Sequence, residues 1–296
     1  MKIIECIPNF SEGRDQRIID GLIEISKSVL GVTLLDVSSD KSHNRSVFTL
    51  IGDEKGIVEA AFRLTEFAVK EIDMTKHTGE HPRMGAVDVI PFVPIKNTTM
   101  EECVELAKKL GKRIWEDLSL PSFLYEEAAS KDARRNLAAV RKGQFEGMPE
   151  KLLLEEWKPD FGQREIHPTA GIAGIGARFP MIAFNVNLNT SDMEIANHIA
   201  RAVRGSSGGY AFCKAIGVYL EDQGIAQVSM NMTNYEKTPL YRVFETIVEE
   251  AGRFGVTVKE SEIIGLIPGA ALMDTAKYYL QAHKLKSEIQ VLENRL

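Results

Sequence analysis

Strand-forming segments alternate with amphipathic helical segments along this chain, and in each half two strand segments follow one another directly. The helix at 54–71 is marked by an apolar stripe at helical spacing, and it separates the paired strands at 32–37 and 45–51 from a strand at 88–94. A strand at 2–8 and a helix from about residue 14 come before them. This order predicts a βαββαβ module rather than a purely parallel wound sheet.

The same order recurs in the second half of the chain. A strand at 180–188, a helix capped by Ser191 and Glu194, strands at 214–220 and 225–232, a helix opened by Thr238-Pro239 and a strand at 256–258 follow in turn. The charged stretch 126–165, broken by proline and glycine, is typical of a connection. We therefore predict an α/β (α+β) chain of two subdomains, 1–179 and 180–296, each a ferredoxin-like βαββαβ sheet with helices on one face.

Two local signals in the first half give finer predictions. Pro91 and Pro94 place the strand at 88–94 at a sheet edge or a strand end, because proline cannot donate a hydrogen bond to a neighbouring strand. Thr98 and Glu101 form the pattern of a capping box, which predicts the start of the next helix.

Charge and cysteine content exclude several classes of protein. The net charge is −6 with a pI near 5.7, and no long basic block is present, so we expect no nucleic-acid partner. The three cysteines include no CxxC pair, which argues against disulfides and zinc and favours a reducing, cytoplasmic location. Neither a secretory signal nor a membrane-length apolar run is present, so we expect no membrane partner.

The densest group of chemically active side chains is the loop 77–88. It holds His77, Glu80, His81, Arg83 and Asp88 between a helix and a strand. An imidazole titrates near pH 6.5 and exchanges protons at neutral pH, while the proline after it restricts the backbone of His81. Acid–base catalysis and a purely structural polar loop both remain open on these grounds. Metal binding is weaker, because HTGEH does not match the HExxH pattern.

Three other segments carry alternative interpretations. Residues 11–13 follow the first strand and present either an anion site or a simple helix cap. The glycine-rich stretch 162–180 matches neither a dinucleotide-binding turn nor a P-loop, and is predicted to be a flexible segment that lets a ligand approach the backbone, or a linker. Asn185 and Asn187 lie on the polar face of a strand, either as a hydrogen-bonding wall for a heterocycle or as an ordinary solvated face.

These segments, in this order, resemble the formiminotransferase module of the formiminotransferase–cyclodeaminase family. The resemblance spans nearly the whole chain. It is carried by ECIPNFSEG (5–13), LLDV (34–37), NRSV (44–47), GEHPRMGAVDVIPFVP (79–94), TMEEC (99–103), EWKPDFG (156–162), IAFNVNL (182–188) and IAQVSMN (225–231).

The resemblance implies a reaction and a site. The family transfers the formimino group of N-formimino-L-glutamate to N5 of tetrahydrofolate, a co-substrate, in histidine degradation, without a metal. His81 matches the family's catalytic histidine. The family's folate-binding segment matches residues 162–171, namely Gly162, Gln163, Arg164, Glu165, Ile166, His167, Pro168, Thr169, Ala170 and Gly171.

The family fold adds further expectations. Folate, with or without a polyglutamate tail, is expected in a cleft between the subdomains of a homodimer, and the matched region leaves no room for a cyclodeaminase domain. Six residues are supporting candidates: Asp40, Glu80, Arg83, Arg178, Asn185 and Asn187. Arg83 or Arg178 is expected to bind a carboxylate bidentately.

One position departs from the family pattern. Relatives carry an acid after the second strand that supports the histidine, whereas Ser38 stands at that place here and Asp40 follows two residues on. Two other functions remain open: formyl transfer with N-formylglutamate or 5-formyltetrahydrofolate, and folate binding without catalysis.

Overall fold

The computed structural model describes residues 2–295, and the chain forms two compact units that meet in sequence between Arg178 and Phe179. Met1 and Leu296, the outer ends of the predicted subdomains, lie outside the described residues. Within the described part, no helix is both long and apolar enough to cross a membrane.

The first unit is built on a mixed sheet in which two short strands share one position. Its elements are β1 (Ile3–Cys6), β2 (Asn9–Phe10), α1 (Gln16–Ser28), β3 (Val32–Asp40), β4 (Arg45–Gly52), α2 (Glu54–Glu71), β5 (Val87–Lys96), α3 (Met100–Leu118), β6 (Ser122–Glu126), α4 (Leu137–Arg141), α5 (Gln144–Leu152) and β7 (Ala173–Ala177). Strands β1 and β2 lie between β4 and β5, β3 pairs with β4, and β7 joins β5 to β6 by parallel pairing.

The second unit is a smaller antiparallel sheet. Its elements are β8 (Ile182–Leu188), α6 (Met193–Val203), β9 (Cys213–Leu220), β10 (Ile225–Met232), α7 (Leu240–Arg253), β11 (Val258–Ile264), α8 (Gly269–Tyr279) and α9 (Ser287–Gln290). The strand order β11-β8-β10-β9 places the first and last strands of the module side by side. The predicted α+β class, with a βαββαβ core in each unit, is confirmed.

The main core of each unit lies between its sheet and its long helices. Alternation sets this arrangement, because Phe48 and Leu50 of β4 point to the helices while the residues between them point away. In the first unit a second core forms on the opposite face, where Met148 of α5 and Trp157 pack against Phe123 of β6. The prediction that helices cover one face of each sheet is therefore incomplete for the first unit, because α4 and α5 cover part of the other face.

The predicted edge position of the strand at 88–94 is wrong, because β5 lies inside the sheet between β1/β2 and β7. The sheet accommodates the two prolines at gaps in the neighbouring strands. The carbonyl of Pro91 accepts from the Ile7 amide, so the nitrogen of Pro91 faces the break between β1 and β2. Pairing with β7 ends at Phe92, so Pro94 faces no partner on that side.

Several predicted boundaries shift by a residue or more. The capping box of α3 uses Thr99 and Glu102 rather than Thr98 and Glu101, and Asp192 rather than Ser191 caps α6. The last strand begins at Val258 and runs to Ile264. Residues 126–165 belong to the first unit, where the Arg134 guanidinium, fully buried, binds Asp160.

The glycine-rich stretch predicted to be flexible contains the buried strand β7. Glycine is required there for packing: a Cβ at Gly176 would lie 2.6 Å from Cε1 of Tyr125, whose ring is 1% exposed and cannot withdraw. Close backbone approach, and not mobility, therefore explains these glycines.

Gly176→Ala is expected to lower the free energy of unfolding by about 1–3 kcal/mol, because the added methyl group overpacks the strand against Tyr125. The matched control is Gly147→Ala in α5, where an added Cβ meets nothing within 4 Å. That change is expected to be neutral or to stabilise by up to about 1 kcal/mol. Urea unfolding measures both, and equal stabilities of the two variants would contradict the packing argument.

Candidate active site

His81 lies in the loop between α2 and β5, with one charged side chain near each ring nitrogen. Nδ1 is 3.4 Å from Nη1 of Arg45, and Nε2 is 3.8 Å from Oδ2 of Asp88. The second distance is too long for a hydrogen bond, so Nε2 is buried without a hydrogen-bond partner among residues 2–295. The Asp88 carboxylate acts on His81 through its charge.

A β-bulge aims the Asp88 carboxylate at this loop. Asn9 pairs with Val89 and Phe10 with Val87, so Asp88 is the extra residue of β5. Its Oδ1 accepts from the Met84 amide at 3.0 Å, and its Oδ2 accepts from Nε and Nη2 of Arg141 at 2.8 and 2.5 Å. Burial opposes charge on Asp88, but Arg141 and His81 outweigh it and hold the pKa of this carboxyl below its usual value.

The surroundings of His81 favour a neutral imidazole. Burial lowers the pKa of His81, and the charges of Arg45 and Arg141 lower it further, against the opposing effect of Asp88. An arginine only donates hydrogen bonds, so Nδ1 faces Arg45 as an acceptor and the proton of the neutral ring sits on Nε2, towards Asp88. His81 is thus able to take up a proton, and the imidazolium formed would lie beside a carboxylate.

His77 and Arg83 hold the loop rather than face a substrate. His77 accepts from Nε of Arg83 at 3.1 Å and donates from Nε2 to the Asn44 carbonyl at 3.0 Å. The guanidinium of Arg83 is buried, and its remaining donors bind Gln144, the His77 carbonyl and both oxygens of Glu146. The carboxylate that Arg83 binds therefore belongs to the protein itself.

The end of the predicted folate segment is attached to the same loop. His167 and Gly171 exchange backbone hydrogen bonds and close a tight turn. The Ala86 amide donates to the Ala170 carbonyl, and a Cβ at Gly171, where φ is +72°, would lie 2.3 Å from the Met84 carbonyl oxygen. Only glycine allows this approach, which joins residues 167–171 directly to 84–86.

The first residues of the predicted folate segment, 163–165, are not hydrogen-bonded to the loop that carries His81. The Arg164 guanidinium is bound to Glu155 and to the Leu153 carbonyl, whereas the side chains of Gln163 and Glu165 are exposed and make no hydrogen bond to residues 2–295. These two side chains are available to a ligand.

The other supporting candidates in the first unit form no hydrogen bond or ion pair with His81. Asp40 accepts from the His43 amide and lies 3.1 Å from Nδ1 of that histidine, so its carboxylate is engaged by His43. Glu80 is exposed. The backbone amide of Arg178 donates to the Phe92 carbonyl at the end of β7.

The asparagines predicted as a hydrogen-bonding wall form a network inside the second unit. Asn185 donates to Glu262 and Asn187 to Glu260, both on β11. Gln227 donates to Asn187 and to Glu262. The amide donors of these side chains are thus directed at carboxylates of the neighbouring strand.

At residues 11–15 the structure favours the helix-cap interpretation. One oxygen of the Glu12 carboxylate accepts from the amides of Arg14 and Asp15, and the Gly13 amide donates to Asn44. The amides of residues 13–15 are therefore already bonded, and the Asp15 side chain caps α1 by accepting from the Arg17 amide. In the described ranges, no group of three or more His, Cys, Asp or Glu side chains is arranged to hold a metal ion.

Sequence reasoning missed two residues and undervalued a third. Asp88 stands in the 77–88 cluster but was not selected as the partner of His81. Arg45 stands in the NRSV motif without any sign of its role. Arg141 carries no signal at all, because it is 53 residues from Asp88 and reaches it only through the packing of α4 on the sheet.

The chain matches known proteins along its whole length. The family described as "Formiminotransferase domain, N-terminal subdomain" matches residues 3–178, and "Formiminotransferase domain" matches 183–294. A glutamate formimidoyltransferase of Streptococcus pyogenes serotype M1 is 63% identical, with 100% of this chain and 99% of the relative covered. A glutamate formimidoyltransferase of Thermoplasma acidophilum is 49% identical, with 100% and 98% covered.

A bifunctional relative shows the same similarity over part of its length. The formimidoyltransferase-cyclodeaminase of Mus musculus is 42% identical over 100% of this chain and 56% of its own length. With both family descriptions matched and two full-length relatives far above 30% identity, the chain belongs to the formiminotransferase family.

Proposed function

We propose that this chain is a transferase that moves the formimino group from N-formimino-L-glutamate to N5 of tetrahydrofolate and releases glutamate, with His81 carrying the protons. The observation that supports the transfer most strongly is full-length 63% identity to a glutamate formimidoyltransferase. The observation that supports the role of His81 is the position of its imidazole between Arg45 and the buried Asp88. The comparisons do not favour formyl transfer or folate binding alone.

The proposed reaction needs one proton to move twice. When bound, tetrahydrofolate supplies the N5 nucleophile that attacks the amidine carbon of the donor. His81 accepts the proton that N5 loses, and the Asp88 carboxylate stabilises the resulting imidazolium. His81 then returns the proton to the departing nitrogen as its bond to the amidine carbon breaks, so glutamate leaves as an amine. Such acid–base catalysis contributes roughly 10²–10⁴-fold in rate.

Residues 162–171 are proposed as the folate-binding segment. The exposed Gln163 and Glu165 offer an amide and a carboxylate to the donor and acceptor groups of a pterin ring. The rigid turn 167–171 is hydrogen-bonded to the loop that carries His81, so folate held on this segment would be held near the imidazole.

The cellular setting is also part of the proposal. By resemblance to the family we propose a cytoplasmic homodimer in histidine degradation that accepts folate with or without a polyglutamate tail. The cysteines Cys6, Cys103 and Cys213 are unpaired and buried, which fits a reducing compartment.

The acid side of the pH profile is expected to report the charge on His81. The base form of His81 is active, and its pKa is lowered, so kcat/KM is expected to fall with acidification only below the ordinary value of about 6.5. Arg45→Met removes a positive neighbour and is expected to move this limb to higher pH. Initial rates between pH 5 and 8 (roughly the range in which histidine titrates) measure it, and an unchanged limb would contradict the assigned electrostatics.

The function is tested by two donors assayed side by side with tetrahydrofolate. N-Formimino-L-glutamate is expected to be turned over, and N-formyl-L-glutamate is expected to be a poor donor. The reverse preference would establish formyl transfer. Folate binding with no turnover of either donor would establish a binding protein.

A further inference from the structure

Arg45 is a partly buried cation that forms no ion pair within residues 2–295. Among residues 2–295 no carboxylate lies within ion-pair distance of its guanidinium, and its Nε is buried without a hydrogen-bond partner. Its Nη1 lies 3.4 Å from Nδ1 of His81. Burial, and after it the charge of Arg141, lower the pKa of Arg45, and the charges of Asp88 and Asp40 only partly oppose them. Burying a charge without a partner is costly, so this arrangement indicates that an anion completes it.

The neighbouring arginines and acids are already engaged with each other. Arg83 directs its donors at His77, Gln144 and Glu146, and Arg141 binds Asp88 through two nitrogens. Asp40 is the register partner of Arg45 across β3 and β4, but its carboxylate binds His43. Arg141 is paired with Asp88 through an ion pair, so Arg45 is the cation next to His81 that forms no ion pair with a carboxylate of residues 2–295.

We propose that Arg45 binds the α-carboxylate of the formimino donor and thereby makes the enzyme selective for N-formimino derivatives of α-amino acids. The inference rests on the proposed function and deepens it. In the donor, the nitrogen that departs and the α-carboxylate are attached to the same carbon atom. A group that protonates this nitrogen and a group that holds this carboxylate must therefore be neighbours, as His81 and Arg45 are.

The shape of the guanidinium strengthens this assignment. Its planar fork matches a carboxylate through two parallel hydrogen bonds, which a lysine ammonium cannot reproduce. The γ-carboxylate of glutamate lies two further carbons along the side chain, so it would reach a different part of the site.

The test compares two donors that differ only in the α-carboxylate: N-formimino-L-glutamate and N-formimino-4-aminobutyrate. Their dissociation constants are measured by calorimetry on the full-length protein saturated with folic acid, whose oxidised N5 has no hydrogen and cannot accept the group. The wild type is expected to bind the first donor roughly 10–100-fold more tightly, as for a lost charge-assisted bidentate contact. Arg45→Met is expected to abolish that preference.

Two further variants keep the result interpretable. Arg45→Gln preserves polarity and most of the side-chain length, and it replaces Arg45→Met if that variant does not fold. It is expected to lose the preference as well. Arg17→Met is the matched control, since Arg17 is an exposed arginine on α1 that pairs with Glu71, and it is expected to retain the preference.

Each outcome decides the matter. Equal binding of both donors by the wild type, or a preference that survives in both Arg45 variants, would overturn the proposal. Weakened binding of folic acid in the Arg45 variants, with donor preference intact, would assign Arg45 to a folate carboxylate instead. Because no turnover is needed, an Arg45-dependent preference in a protein that transfers nothing would uphold this inference while refuting the proposed function.

Discussion

His81→Ala is expected to lower kcat for formimino transfer by roughly 10²–10⁴-fold, because neither N5 nor the departing nitrogen would have a proton carrier. The Michaelis constant for tetrahydrofolate is expected to change little, since the turn at 167–171 keeps its own hydrogen bonds to the loop. Steady-state rates with both substrates varied measure the two constants.

The matched control for this variant is His198→Ala in the second unit. His198 lies on α6 next to Glu250, with 46% of its side chain exposed, and it belongs to neither the loop nor the folate segment. The control is expected to keep the wild-type kcat. A His81→Ala enzyme with the same kcat as the control, and with the native fold, would remove His81 from the mechanism.

Asp88→Asn is expected to reduce both stability and activity. The substitution leaves Arg141 without its charge partner and turns an amide NH₂ group towards it, in a place where Asp88 is 1% exposed. Breaking a buried pair on one side typically costs about 3–5 kcal/mol. We expect a decrease of that order in the free energy of unfolding, measured with urea, and a decrease in kcat because the imidazolium of His81 loses its stabilising carboxylate.

A double variant separates the two effects of Asp88. In Asp88→Asn combined with Arg141→Met, the charge of Arg141 is no longer left without its partner, so much of the stability is expected to return. Activity is expected to stay low, because no carboxylate then faces His81. Recovery of both properties together would mean that Asp88 acts only through folding, with no electrostatic role towards the imidazole.

Local sequence signals predicted the fold correctly where each signal depended on a single helix or strand. The stripe on α2 and the alternation in β4 follow from which face of each element is buried, and they predicted both βαββαβ modules. Pro91 was misleading because its tolerance depends on a gap in a neighbouring strand. Gly176 was misleading because its role is set by Tyr125, which is distant in sequence.

In the candidate site, too, local features were predictable and features that depend on distant residues were not. His81 was identifiable from one loop and from the family resemblance, since the chemistry and the restricted backbone are local. The acid near His81 was expected at positions 38–40, which lie in the last part of β3, yet the carboxylate near His81 is that of Asp88, from a bulge in β5 that only strand register reveals. The roles of Arg83 and Arg45 were also not predictable, because they depend on whether a distant carboxylate such as Glu146 takes up the donors.

Identification of the products of a single turnover tests the central claim most directly. The protein is mixed in excess with N-formimino-L-glutamate and tetrahydrofolate, and the products are separated and quantified. We predict one equivalent of free glutamate for each equivalent of 5-formiminotetrahydrofolate formed, with no glutamate released when tetrahydrofolate is omitted. Glutamate release that does not require tetrahydrofolate, or folate that stays unmodified in the complete mixture, would contradict the account.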